Sequence, residues 1–375
     1  MILANGRVMT DNFELVCCDI RIENDKIVEL GKDLQGGERM DMTGRMILPG
    51  FIDTHIHGAC GTRISDDDAA LTRITRFEAT QGVTGMAITT ASSEFSDILR
   101  QIDAAAAVKE NEGTKILGIH AEGPFLCKKY KGAMNEEYII PPQKALLDEM
   151  MKHAGGLLKI ITVAPEAEGA VDFIRYAVSQ GIKVSMGHTN ATYEEAMAGI
   201  AAGASRMTHT FNAARPLNHR DPGVLGAALT EPDVTCEMIC DHVHLHPAVM
   251  QLIYRTKGAD RISVISDSGH AAGWEIKEFM VDGQMRYVVD GVVRLANGTI
   301  AGSAKTVLDG VKNLVSGGVP LGDVSRMASL TPARALGLEA VTGSIAPGKQ
   351  ADLVVMDEKM NVACTFVDGV CVYSA

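Results

Sequence analysis

The chain has little of what would commit it to nucleic acid, to a membrane or to an oxidising compartment. Its 375 residues carry 35 Lys+Arg against 47 Asp+Glu, a formal net charge of −12. A chain short of positive charge is a poor partner for phosphate backbones or anionic lipid surfaces. No stretch approaches the ~20 consecutive apolar residues of a spanning helix. The opening residues, Met1-Ile2-Leu3-Ala4-Asn5-Gly6-Arg7-Val8, reach a glycine and an arginine too early for the apolar region of a secretion signal. The eight cysteines, at 17, 18, 60, 127, 236, 240, 364 and 371, include no Cys-x-x-Cys pair and no regular framework spacing. They read as reduced thiols in a soluble, cytoplasmic protein. Internal repeats and low-complexity tracts are also absent.

What is present falls into two textures. Residues 1–48 read as short strands at 2–9, 19–23 and 26–30, divided by Asn24-Asp25 and Gly36-Gly37. Residues 351–357 and 362–373, broken at Asp368-Gly369, read the same way. The expectation is a small β-sandwich domain built from both chain ends, 1–48 plus 346–375. Between them, 49–345, apolar strand candidates at 51–57, 83–90, 116–122, 159–164, 183–188, 206–211, 235–242 and 262–267 alternate with helical stretches such as 69–81, 95–110, 170–180, 193–202 and 247–257. Two further helices are expected at 303–316 and 321–336. Eight strands that are apolar throughout, each bounded by a helix or loop, point to an α/β (β/α)8 TIM-type barrel rather than an open sheet.

Such barrels place chemistry at the C-terminal ends of their strands. His55 and His57 share a face at the end of the first strand, because successive side chains in an extended strand alternate. Glu122 ends the third strand, His188 the fifth, His209 the sixth and Asp267 the eighth. Each has an ordinary reading by itself: a hydrogen-bonded histidine at a strand end, or a capping or salt-bridged carboxylate. Six such groups around one opening point instead to a metal site. Imidazole and carboxylate ligands without cysteine suit Zn²⁺, with Fe²⁺ or Mn²⁺ as alternatives. Asp267 is the candidate proton shuttle, since amide hydrolysis needs a base for the water and then an acid for the departing amine.

The run from Pro49 to Gly58, His120-Ala121-Glu122-Gly123-Pro124-Phe125, Gly187-His188-Thr189-Asn190-Ala191, His209-Thr210-Phe211-Asn212-Ala213, Arg220-Asp221-Pro222-Gly223 and Asp267 resemble the amidohydrolase superfamily. Within it they resemble the N-acetylglucosamine-6-phosphate deacetylase family. The resemblance covers essentially the whole chain. It implies removal of acetate from N-acetylglucosamine 6-phosphate, with the N-acetylgalactosamine epimer as the alternative substrate and a catalytically silent scaffold as a more remote one. It implies Glu122, His188 and His209 as ligands of a principal metal, His55 and His57 as ligands of a second ion, and Asp267 as acid/base. It further implies Asn212 and Ala213 at the sugar phosphate, Arg220 and His244 neutralising the phosphate, and Ala133 and Ile300-Ala301-Gly302 as further substrate contacts. One or both of Arg220 and His244 would be donated across the interface of a homodimer. Two positions depart from the family pattern. Met134 stands where a histidine usually touches the acetyl carbonyl, and a thioether cannot donate that hydrogen bond. His242 replaces a commoner glycine.

Overall fold

The apolar segments become eight consecutive parallel strands: β1 (Phe51–Ile56), β2 (Val83–Ala91), β3 (Lys115–Glu122), β4 (Leu158–Val163), β5 (Lys183–Met186), β6 (Arg206–Met207), β7 (Thr235–Ile239) and β8 (Ile262–Ile265). Each pairs in parallel with the next, in chain order. β8 returns to β1 through Asp267 N–H, which donates to His55 O at 3.0 Å, and a parallel bridge between Ile56 and Ser268. In this computed structural model, which describes residues 1–67, 69–108, 112–281 and 283–375, a helix follows every strand. They are Ala70–Thr80, Phe95–Ala107, Lys144–Ala154, Ala170–Ser179, Tyr193–Ala201, Gly223–Thr230, Pro247–Lys257 and Val307–Ser316. The result is a (β/α)8 barrel.

Several boundaries differ from the pattern-based expectation. The helix expected over 95–110 ends at Ala107, and positions 109 and 110 of that expectation lie outside the described residues. The stretch 321–336 is two helices, Leu321–Ala328 and Leu330–Leu336, divided at Ser329, whose φ of −135° and ψ of −69° are not helical. Strands 5 to 8 stop two to four residues short, because the residues that end them adopt left-handed backbone. A four-stranded antiparallel sheet between residues 278 and 303 was not foreseen. It hangs beyond β8 and returns the chain to the barrel mouth at Ile300–Ser303.

Both chain ends meet in a second eight-stranded sheet. Its spine is Ile2–Met9, flanked by Leu15–Glu23 on one side and by Met46–Pro49 and Leu353–Met356 on the other. Period-2 alternation lets this sheet serve two cores. Ile47, Leu353 and Val355 pack with Leu3, Val8, Ile20 and Phe366 in the terminal domain, whereas Leu48, Val354 and Met356 pack into the barrel's core with Phe51 and Val83. Lys115, at the start of β3, reinforces the junction by donating to Asp352 at 2.9 Å and Asp368 at 2.7 Å. Among the described residues no helix is long and apolar enough to cross a membrane.

Candidate metal centre and active site

The barrel interior is more polar than uniformly apolar strands suggested. His120 bonds to Thr162 Oγ1 at 2.8 Å and donates from Nδ1 to Thr54 O at 3.1 Å, and Thr162 continues to Thr208 at 2.9 Å. Above this layer the strands release their functional side chains. His188, His209 and Asp267 have φ of 45°, 27° and 48°, a conformation that costs a non-glycine residue of order 1–3 kcal/mol and clusters at functional sites. Backbone bonds hold each turn: Cys127 N–H to His188 O at 2.8 Å, Asn212 N–H to His209 O at 2.8 Å and Ser303 N–H to Asp267 O at 2.9 Å.

All six groups converge. Glu122 Oε1 lies 2.9 Å from His209 Nε2, 3.2 Å from His188 Nε2 and 3.3 Å from His55 Nε2, and Glu122 Oε2 lies 3.4 Å from His57 Nε2. Asp267 Oδ1 is 3.4 Å from His57 Nε2 and 3.7 Å from His55 Nε2. The donor atoms form two triads, Glu122/His188/His209 and His55/His57/Asp267, with Glu122 touching both.

The rings are aimed from behind. His57 Nδ1 contacts Thr89 O at 2.9 Å and His188 Nδ1 contacts Tyr130 O at 2.7 Å. A carbonyl can only accept, so both rings donate from Nδ1 and turn Nε2 toward the carboxylates at the centre. Burial acts to raise the Glu122 carboxyl, but the neighbouring His55 and His188 and the hydrogen bonds from His188 and His209 outweigh it and hold Glu122 well below the usual range. Asp267 is likewise brought down to about 2, burial being overcome by His55 and by the hydrogen bond from His57. Oxygen and imidazole donors that face one another at these distances, with both carboxylates ionised, fit a divalent metal ion.

Three of the segments expected to meet substrate lie beside these groups. Ala133 lies in the loop whose Tyr130 O orients His188, and a Cβ on neighbouring Gly132 would lie 3.4 Å from the His188 ring. Ile300, Ala301 and Gly302 form the last strand of the inserted sheet, where a Cβ on Gly302 would lie 3.4 Å from Asp267 O. Asn212 and Ala213 follow His209 after Thr210 and Phe211, and Ala213 O accepts from Thr189 N–H at 3.2 Å. His244 is clamped by Asp241: its Nδ1 lies 2.7 Å from Oδ2, while Oδ1 accepts from the backbone of Val243 and His244. Arg220 stands exposed on the 215–222 loop. Among the described residues no hydrogen bond or ion pair joins Arg220 to His244.

Pattern reading missed Glu237 and Arg206, buried beneath the histidines, and Asp53, which accepts from His55 N–H at 3.0 Å and from Ser266. The available signal was a charge inside an apolar strand, as in Cys236-Glu237-Met238-Ile239.

The amidohydrolase family model matches residues 46–372. The chain belongs to the amidohydrolase family. This amidohydrolase is 37% identical over 339 residues to the N-acetylglucosamine-6-phosphate deacetylase of Vibrio furnissii, covering 88% of this chain and 83% of that protein. It is 35% identical to the N-acetylgalactosamine-6-phosphate deacetylase of Escherichia coli O157:H7, covering 86% and 87% of the two chains. Among solved structures it resembles an N-acetyl-D-glucosamine-6-phosphate deacetylase mutant from Mycobacterium smegmatis in complex with N-acetyl-D-glucosamine-6-phosphate. There the TM-score is 0.92 at 32% identity, over 100% of this chain and 99% of that one.

Proposed function

We propose that this amidohydrolase removes the acetyl group of N-acetylglucosamine 6-phosphate, releasing acetate and glucosamine 6-phosphate. The observation that carries the reading is the meeting of Glu122, His188 and His209 with Asp267 around one opening, in a chain 37% identical to a deacetylase of that substrate. Glu122, His188 and His209 would hold the principal ion, and His55 and His57 a second. The donor set favours Zn²⁺, with Fe²⁺ or Mn²⁺ able to take its place. A divalent ion there supplies Lewis acidity, acidifying a water and drawing charge from a carbonyl oxygen.

The chain's own residues do the rest. Asp267, ionised and held beside His57, takes the proton of the attacking water on Oδ1 and hands it to the departing amine nitrogen. Asn212 and Ala213, with Ala133 and the 300–302 strand, seat the sugar. Arg220 and His244 meet the phosphate, where the planar guanidinium fork and a charge-assisted imidazole bond suit its oxygens. The exposed Arg220 supports a homodimer in which it reaches the neighbouring opening, and the setting is the cytoplasm. Residues 49–345 form the catalytic barrel in this reading, and 1–48 with 346–375 the supporting β domain.

The galacto epimer is the second reading, carried by the 35% identity to its deacetylase. Acetate release measured side by side on the two 6-phosphates, with metal content on the same sample, separates them. Higher kcat/KM on the gluco epimer is expected. Preference for the galacto epimer would move the assignment, and metal-loaded protein inert on both would overturn it.

A further inference from the structure

Below the six groups lie Glu237 of β7 and Arg206 of β6, at 0% and 2% exposure. Glu237 Oε1 accepts from Arg206 Nη2 at 3.0 Å. Its Oε2 meets two groups, His55 Nδ1 at 3.0 Å and the backbone N–H of His209 at 3.2 Å. The Glu237 carbonyl also accepts from Thr210 N–H at 3.0 Å. A single buried residue therefore grips the strand ends that carry one member of each metal triad.

We infer that Glu237 is a positioning residue that sets the tautomer of His55, and thereby the capacity of the His55/His57/Asp267 triad for its ion, with Arg206 deciding which carboxylate oxygen faces the histidine. The inference rests on the reading that His55 is a metal ligand. A carboxylate only accepts, so the ring proton of His55 belongs on Nδ1. Nε2, which faces Glu122 Oε1 at 3.3 Å and Asp267 Oδ1 at 3.7 Å, is then the atom that offers a lone pair to an ion. Arg206 donates in every state, so it keeps Oε1 occupied and leaves Oε2 to His55 and His209. Buried ion pairs add little net stability. Orientation is what this one contributes.

The test exploits the asymmetry of an amide. In Glu237→Gln the side-chain oxygen turns to Arg206, and the NH₂ group then faces His55 Nδ1. That drives the ring proton onto Nε2, the atom needed for coordination. Chelator-stripped wild-type protein, Glu237→Gln, the double variant Arg206→Met/Glu237→Gln and His55→Ala are titrated with Zn²⁺, and bound ions per chain and affinities are read by calorimetry. Glu237→Gln should weaken one ion by about 10–100-fold, the usual cost of losing a ligand's supporting partner, and leave the Glu122/His188/His209 ion in place.

The double variant removes the competing donor, so the amide oxygen returns to His55 and most of the loss should be recovered. A merely structural role for Glu237 predicts that the double variant is no better than the single one, and that outcome overturns the inference. Should Glu237→Gln fail to fold, Glu237→Asp keeps the charge but withdraws it from His55, and the same loss of one ion is expected. If His55→Ala loses an ion and neither Glu237 variant does, the inference falls while the metal reading stands. If His55→Ala binds Zn²⁺ like wild type, the metal reading of His55 itself has failed.

Discussion

His55 and His57 present their Nε2 atoms to each other at 3.2 Å, with the Nδ1 atoms committed to Glu237 and to the carbonyl of Thr89. Two lone pairs that close must be separated by a proton or a cation. Burial alone would lower His57, but hydrogen bonds with Asp267 and Glu122 lift it to about 9. Chelator-stripped protein at pH 7.5 therefore carries a proton on His57 that metal must expel. Zn²⁺ loading should release protons, and its affinity should rise with pH until about 9. Calorimetry in buffers of different ionisation enthalpy reads the release directly; a buffer-independent heat would contradict it.

Asp267 is assigned the proton transfers, so Asp267→Asn should lower kcat at least about 100-fold, within the range of general acid–base contributions. Its metal content should stay near wild type if Glu122, His188 and His209 suffice for the principal ion. Acetate release and metal analysis on one preparation check both, and near-normal turnover would remove Asp267 from the mechanism.

Asp241 holds His244 at 2.7 Å and draws its backbone into the same bond set. His244→Asn is expected to raise KM for the sugar phosphate by about tenfold or more, the cost of one lost charge-assisted bond. The effect on kcat should be smaller. Asp241→Asn should follow it in the same direction. Steady-state kinetics decide, and a pure kcat effect would place His244 in the chemistry instead.

Met134 lies in the loop beside His188, where its carbonyl accepts from Lys131 Nζ at 3.0 Å, and its thioether has no hydrogen to donate to an acyl oxygen. If metal alone supplies that polarisation, Met134→His should change kcat less than about tenfold in fully loaded enzyme, one uncharged hydrogen bond being worth about 1 kcal/mol. The substitution should help more when His57→Ala has removed the second ion. Comparing the two backgrounds under saturating Zn²⁺ tests this, and an equal gain in both would argue against it.

Glu78 is fully buried on the Ala70–Thr80 helix, and among the described residues neither carboxylate oxygen has a hydrogen-bond partner. Burial, with Asp53 and Asp309 nearby, raises its pKa well above the usual carboxylate value. The sign follows: below the unfolded-state pKa both states hold the proton and nothing is lost. As pH climbs through the unfolded value toward the folded one, the unfolded chain ionises first and stability falls. Glu78→Gln removes this slope and should be the more stable form at pH 8 by on the order of 1–3 kcal/mol. Thermal melts from pH 5 to 8.5 should show the gap widening with pH; a constant gap would exclude ionisation as its cause.

The barrel and its six strand-end groups were legible in the chain because both are local signals. Apolar segments alternating with helical ones specify strand, helix and strand again, and the C-terminal rule then picks out His55, His57, Glu122, His188, His209 and Asp267. The family resemblance already grouped Glu122 with His188 and His209 and set His55 beside His57; tertiary structure added the distances across the barrel that bring Asp267 to the second pair and Glu122 within reach of both. Glu122, on β3, bridges both histidine pairs only once β1, β5 and β6 surround it. The strand ends were overextended in the pattern because left-handed backbone at His188, His209 and Asp267 leaves no trace in hydrophobicity. Glu237 and Arg206 looked like interruptions of apolar strands. Their meaning depends on a carboxylate from β7 and a ring from β1, 182 positions apart in the chain, meeting at 3.0 Å. Residue types declare which chemistry a chain can support, but the direction in which each imidazole points is fixed by partners that only folding brings near.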